Sequence, residues 1–312
     1  RRQRQMCIRD SSKSKYNERL QEIVKKRLKR YLHLDIETKD FFPEDKEQEL
    51  KIQEIYNQML IDYADPEKKY AGGDAARRYA RPEYITRLQQ NHKAGSTYSY
   101  AGFDQLVAVS SGIIRHFLAP AQEMYSLAIT ELGANEDNIT SIKPSIQDEV
   151  IKKYSNNYLV GEFEKLKKDI DNNNTRQIQL EKLYRMIDSL GQLFHLQLTS
   201  NSSERRVFSV AITDTPDDEM NEIIDMGEQL GYFHKSTIGN KTGTGRNRLI
   251  ILSRILAPHF KLDATSFAGY KFMDSAKLRM AMIDTKRFLA QFKFTEDDSS
   301  SATQLLLFDG NN

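Results

Sequence analysis

The first two thirds of the chain repeat apolar residues at the spacing of α-helices. The earliest repeat, within residues 13–34, has one large apolar side chain every four positions: Leu20, Val24, Leu28 and Leu32. This spacing predicts an amphipathic helix. Similar patterns predict helices over about 44–63, 74–90, 145–170 and 175–199. The most apolar run, 103–132, predicts the buried centre of a helical bundle, with a break or kink at Pro120.

The pattern changes after residue 200. Residues 205–213 are rich in β-branched and aromatic side chains and predict a strand, and 216–231 has Pro near its start and Gly at its end, which predicts a helix. Two more strands are predicted over 232–238 and 246–256, joined by a glycine-rich turn. A strand, a helix and a long hairpin in this order are typical of a winged-helix-like module, although a full winged helix has two helices before its hairpin.

The predicted fold class is therefore mainly α with a small α+β part, a helical bundle followed by a winged-helix-like module. The 312 residues include one Cys and no Trp. A single Cys excludes an internal disulfide framework and predicts a reducing, cytoplasmic location. No apolar run approaches the roughly 18–20 residues that a membrane-spanning helix needs, so no membrane partner is expected.

The first eleven residues, RRQRQMCIRDS, resemble the translation of a sequencing adapter that contaminates metagenomic reads. The whole chain has 46 Lys and Arg against 44 Asp and Glu. Without this segment the count is 42 against 43, so the apparent basic charge disappears. We expect the natural protein to begin further upstream. The alternative is a genuine basic N-terminal arm.

Several chemistries lack their sequence signature. No Gly-Lys dipeptide occurs, so the lysine of a phosphate-binding loop is missing, and the glycines of 239–245 are best explained by a hairpin turn. No His-Glu-x-x-His and no Gly-x-Ser-x-Gly occurs. Asp35, Glu37 and Asp104 leave open a metal-dependent nuclease, in which paired carboxylates on a strand bind Mg²⁺. The charged helices around them do not suit that fold.

The second half carries two clusters of opposite charge. The predicted hairpin contains five cations that could bind nucleic acid through phosphates: Lys235, Lys241, Arg246, Arg248 and Arg254. The preceding helix has six carboxylates and no basic residue, which disfavours its insertion into a DNA groove. Two alternatives stay open: the arginines pair with this acidic helix, or the helix binds a basic partner protein.

Four segments together suggest a family. Residues 100–118 (YAGFDQLVAVSSGIIRHFL), 204–212 (ERRVFSVAI), 231–245 (GYFHKSTIGNKTGTG) and 256–260 (LAPHF) resemble the C-terminal portion of bacterial AAA-type P-loop ATPases described as origin-recognition-complex-like. In such proteins an N-terminal core that binds ATP and Mg²⁺ precedes a helical lid and a winged-helix-like domain. The resemblance implies that Arg115 is a sensor of the ATP γ-phosphate. The alternative role is an ion pair with a lid carboxylate.

The residue pattern and the two resemblances together predict five segments: an adapter-derived tail, a helical lid-like domain, connecting helices, a winged-helix-like module and a flexible tail, over 1–11, 12–143, 144–199, 200–290 and 291–312. The family resemblance also implies that the chain is the regulatory part of an ATP-driven switch that acts on DNA or in phage defence, with the ATPase core as a missing partner and a homo-oligomer as a possible assembly. The chain alone is expected to hydrolyse nothing and to need no cofactor. The alternatives are a stand-alone winged-helix DNA-binding regulator and a protein-interaction module.

Overall fold

A computed structural model describes residues 2–62, 72–90, 97–132, 139–169, 174–200, 204–239, 245–266 and 269–292. Its helices are α1 Arg2–Tyr31, α2 Thr38–Phe41, α3 Lys46–Asp62, α4 Gly72–Gln90, α5 Phe103–Val109, α6 Ile114–Leu132, α7 Pro144–Asn156, α8 Glu162–Asp169, α9 Asn174–Thr199, α10 Asp218–Gln229, α11 Ser275–Ile283 and α12 Thr285–Ala290. Its strands are β1 Val207–Ile212, β2 Phe233–Gly239, β3 Arg246–Leu252 and β4 Gly269–Met273. The predicted fold class, mainly α with a small α+β part, is confirmed.

The four strands form one mixed sheet in the order β2-β3-β1-β4. Strand β3 lies in the middle and pairs antiparallel with both β1 and β2, while β4 pairs parallel with β1. Strand β1 is completely buried, and five of its six residues are apolar. Helix α10 connects β1 to β2, and its N-terminus is capped by the Asp217 side chain, which accepts a hydrogen bond from the Met220 N–H.

One hydrophobic core joins the helices and the sheet. Its buried residues run from Leu20 in α1 to Leu289 in α12. Helix α9 lies in its centre, because its second half is buried on nearly every face. The Tyr100 hydroxyl ties the two halves together, since it lies 3.1 Å from the Ala257 carbonyl and 2.9 Å from the Leu262 carbonyl and donates to them. None of the described helices is long and apolar enough to cross a lipid bilayer.

The structure corrects several predicted boundaries. Helix α6 continues through Pro120, and the interruption lies instead between Val109 and Ile114, where Ser111 and Gly112 adopt positive φ angles of 56° and 81°. The helix predicted over 145–170 contains a π-helical turn, Asn157–Gly161, between α7 and α8. Strand β4 and helices α11 and α12 form within 269–290, where the sequence predicted only the end of the winged-helix-like module and no separate elements.

Most of the two predicted tails, 1–11 and 291–312, lies outside what the structure describes. Helix α1 begins at Arg2, although its predicted start was about residue 13, because Arg, Gln and Met are good helix formers. The side chains of residues 1–14 and all of 293–312 lie outside the described residues. An adapter origin of residues 1–11 and a flexible C-terminal tail therefore stay predictions.

Candidate functional site

The predicted phosphate sensor lies directly after the sharp turn between α5 and α6. Gly112 has a φ of 81°, a conformation that only glycine adopts without strain, and Ser111 has a φ of 56°. The chain reverses there, and α6 begins at Ile114 with Arg115 in its first turn. The backbone N–H groups of a first helical turn carry partial positive charge, which adds to the guanidinium charge.

Arg115 is exposed, and within the part of the chain that the structure describes no carboxylate lies within 4.0 Å of its guanidinium. The alternative that the sequence left open, an ion pair with a lid carboxylate, is therefore not formed among these residues. An arginine in this state can bind an anion without first breaking an internal ion pair.

Beneath Arg115, the His116 imidazole is buried among aromatic side chains. Its Nδ1 lies 3.2 Å from the Tyr154 hydroxyl, and its ring packs edge-on against Tyr158 with centroids 4.9 Å apart. Burial, and then the nearby charges of Arg115 and His234, lower the pKa of His116 to about 4. The imidazole is therefore neutral at pH 7.

The turn that precedes Arg115 also contacts the sheet. The Ser111 hydroxyl accepts a hydrogen bond of 3.0 Å from the Arg254 backbone N–H, in the segment just after β3. The same oxygen lies 3.3 Å from His234 Nε2 on β2. Ser111 therefore links the start of α6 to two elements of the sheet region.

A second link runs through the π-helical turn. The Tyr158 hydroxyl donates to the Leu230 carbonyl at 2.9 Å, and the Tyr232 hydroxyl donates back to the Tyr158 carbonyl at 2.9 Å. Gly231 makes this approach possible, because a Cβ there would lie 2.7 Å from the Tyr158 hydroxyl. A π-helical turn inserts one residue into a helix and frequently marks a functional position.

The hairpin cations predicted to bind nucleic acid are mostly engaged inside the molecule. Lys235 forms ion pairs with Asp225, at 2.6 Å, and with Glu228, and Arg248 lies 2.9 Å from Asp225. Both cations therefore contact α10, which is the pairing that the sequence left open as an alternative.

The other three hairpin cations differ. Arg254 donates to the Ala264 carbonyl and lies over the Phe208 ring at 5.3 Å, so it supports the interior of the sheet region. Arg246 is exposed and donates to Thr237 Oγ1 at 2.7 Å. Lys241 lies outside the described residues.

The acidic helix α10 is neutralised on more than one side. Glu219 pairs with Lys182 of α9, and Arg279 of α11 pairs with Asp217 and Glu219. The Lys235 ammonium, and then Arg248, lower the pKa of Asp225, so this carboxylate is ionised at neutral pH.

The three carboxylates of the nuclease hypothesis do not form a metal site. Asp35 and Glu37 precede the short helix α2 instead of lying on a strand, and they pair with Lys29 at 3.8 Å and Lys25 at 2.6 Å. Asp104 pairs with Lys39 at 2.5 Å. Among the described residues no group of three or more His, Cys, Asp or Glu side chains could hold a metal ion. The nuclease hypothesis lacks the carboxylate cluster that it needs.

Comparison with known families adds to this geometry. Residues 4–272 match the model of the family described as ORC-CDC6-like. The chain belongs to the ORC-CDC6-like family. The match covers both the turn before Arg115 and the sheet region, and this membership supports a relation to AAA-type ATPases of the ORC/Cdc6 kind. No curated protein and no solved structure matches the chain.

In this ORC-CDC6-like chain, the sequence offered Arg115 as a candidate sensor but did not indicate the residues that connect the helices around it to the sheet region. Ser111 and Tyr158 contact partners more than seventy positions away, so no local pattern indicates their role. The Ser-Ser-Gly sequence at 110–112 was the one available signal, because Ser and Gly favour turns.

Proposed function

We propose that this ORC-CDC6-like chain is the lid and winged-helix-like regulatory part of an ATP-driven switch. Arg115 senses the γ-phosphate of a nucleotide whose phosphates are held by a P-loop core outside these 312 residues. The observation that carries the proposal is an exposed arginine, without a carboxylate partner among the described residues, in the first turn of a helix.

Arg115 is the residue of this chain to which we assign a contact with the nucleotide. The sequence has no Gly-Lys dipeptide, so these residues do not hold the triphosphate or its Mg²⁺. When bound, Mg²⁺ and the core's lysine would neutralise the charge that develops on the phosphates. The Arg115 guanidinium would contribute a positive charge next to the γ-phosphate oxygens. This contact would end once the γ-phosphate leaves.

The signal would pass to the sheet through the α5–α6 turn. A shift of Arg115 towards the phosphate would move the first turn of α6. The contacts of Ser111 with Arg254 and His234 would transmit that shift to the sheet region. Because packed interfaces have discrete arrangements, a small displacement there can change how the sheet region presents its surface. We assign DNA or a partner protein as the target of that surface, with a role in phage defence or assembly control.

The test uses the complete protein that includes the core. Arg115→Ala should slow ATP hydrolysis at least about tenfold, since a lost charge contact to a transferring phosphate costs at least one order of magnitude. Arg176→Ala is the matched control, because Arg176 is also exposed and has no carboxylate within ion-pair distance among the described residues. Both variants should melt within about 2 °C of the wild type, because exposed unpaired side chains add little stability. Wild-type hydrolysis by Arg115→Ala would refute the proposal.

A further inference from the structure

The outward face of α1 is a regular row of basic side chains. Leu20, Val24 and Leu28 are buried in the core. On the opposite side of the helix, at spacings of four, seven and four residues, lie four exposed cations: Lys15, Arg19, Lys26 and Arg30. These spacings put all four within about one sixth of the helix circumference, along about 22 Å of its axis.

The cations of this row have fewer and more distant carboxylate partners than Lys235 and Arg248 of the hairpin. Within the described part of the chain, no carboxylate lies within 4.0 Å of Lys15, Arg19 or Arg30, and Lys26 has only Glu22 at 3.8 Å, with both side chains at least 70% exposed. Such exposed pairs are worth little and are easily exchanged for another anion. Lys235 and Arg248 of the hairpin, in contrast, share closer carboxylates on α10.

The residue after the last cation of the row, at the end of α1, is aromatic. Tyr31 is 68% exposed, and the Arg30 guanidinium lies 5.5 Å from the centre of its ring. An exposed aromatic ring beside an arginine is a surface on which an unpaired base can stack.

The chemistry of the face selects the kind of partner. A helix that lies on a membrane must insert an apolar face into the lipid, and the apolar face of α1 is already buried in the core. A straight row of cations with one weakly held carboxylate fits instead an evenly spaced linear polyanion. Such contacts bind phosphates without reading base sequence.

We infer that the outward face of α1 is a binding surface for the phosphate backbone of a nucleic acid. The surface includes neither Arg115 nor a residue of the hairpin, and its test uses no nucleotide, so its outcome does not depend on the proposed lid function.

The test measures binding of the 312-residue chain, without ATP, to labelled duplex DNA, single-stranded DNA and duplex RNA between 50 and 200 mM salt. The variant Arg19→Gln/Lys26→Gln/Arg30→Gln keeps good helix formers and removes three charges. The control Lys46→Gln/Lys168→Gln/Lys286→Gln removes three exposed charges from other helices. Circular dichroism confirms that both variants fold.

For the preferred nucleic acid, the α1 variant should bind at least about tenfold more weakly at 100 mM salt, and the slope of log affinity against log salt should fall by about 2–3, because each phosphate contact contributes about 0.7–0.9. The control should lose less than about threefold. Equal loss in both variants, or no salt-dependent binding by the wild type, would overturn the inference. Binding of polyglutamate as tightly as of nucleic acid, lost in the same variant, would indicate an acidic protein partner and would also overturn it.

Discussion

At the scale of single residues, the buried histidines make stability depend on pH. His116 is buried, and its pKa lies near 4, against an ordinary value of 6.5. The folded state keeps this imidazole neutral between those values, whereas the unfolded state binds a proton. The free energy of unfolding should therefore fall as the pH drops from about 6.5 to about 4. Burial lowers the pKa of His195 to about 4 as well, so it adds to the same trend.

The variant His116→Gln isolates one contribution. It should make the fall in stability shallower over this pH range, since one proton of difference changes the free energy of unfolding by about 1.4 kcal/mol per pH unit. Urea unfolding at pH 7.5, 6.0 and 5.0 measures this slope. His33→Gln, which removes an exposed imidazole, is the control. An unchanged slope in His116→Gln would contradict the buried neutral state of His116.

Gly231 gives a second prediction at this scale. It has a φ of 81°, and a Cβ there would lie 2.7 Å from the Tyr158 hydroxyl. Gly231→Ala should lower the free energy of unfolding by about 1–3 kcal/mol, because it adds both backbone strain and a steric clash. Calorimetry checks the change. Gly239→Ala, where no atom lies within 4 Å of the added Cβ, should have a much smaller effect. Equal effects in the two variants would contradict both the backbone strain at Gly231 and the clash with Tyr158.

At the scale of elements, carboxylates of α10 form ion pairs with cations of the β2–β3 hairpin. Asp225 and Glu228 are the carboxylates that contact Lys235 and Arg248 among the described residues. Asp225→Asn/Glu228→Gln should remove the ion pairs of both cations, leaving Arg248 only its neutral partner Asn221, and increase affinity for duplex DNA, with a salt slope steeper by about 1.8 for two new phosphate contacts. Adding Arg248→Ala should remove most of the gain.

A matched pair on the same helix controls for net charge. Asp218→Asn/Glu222→Gln removes two carboxylates that do not contact the hairpin, because Glu222 instead accepts a hydrogen bond from Gln179. If both double variants gained the same affinity, general electrostatic attraction would explain the result, and pairing with α10 would not restrain the hairpin.

Elements with a strong local pattern were predictable, and those set by distant contacts were not. The sequence predicted β1, α10, β2 and β3 in their observed order, because β-branched and aromatic residues, the Pro and Gly at the two ends of a helix and a glycine-rich turn are local signals. It missed β4, whose residues Gly269–Met273 contain two positions with little strand preference, Gly269 and Lys271. Pairing with β1 determines this strand. The predicted break at Pro120 was wrong, because helix α6 continues through this residue. The chain turns earlier, at Gly112, which adopts a positive φ angle.

The candidate site followed the same rule. Arg115 was accessible to sequence reasoning through a family resemblance. For the hairpin arginines the sequence left two roles open, phosphate binding and pairing with α10, because nothing in the local pattern states that Arg248 reaches α10. Opposite charges separated by about twenty residues can be counted from a sequence, but whether they meet depends on the direction of each side chain in the folded chain.

At the scale of the whole molecule, helices and sheet are one packed body in the described residues. The Tyr100 hydroxyl is held by carbonyls of Ala257 and Leu262, and Ser189 of α9 donates to the Ala281 carbonyl of α11. A large rotation of the sheet region against the helices would break these buried contacts. A switch built on this fold would therefore work through small shifts at its turns, such as the one before Arg115.

Because β4 pairs with β1, the sheet is completed only late in synthesis. Strand β1 leaves the ribosome more than fifty residues before β4, and its outer edge stays open until Gly269–Met273 arrive. During that interval the growing polypeptide exposes one unpaired edge of an apolar strand, to which a neighbouring nascent chain can attach. The sheet is therefore open to misassociation until its last strand has been made.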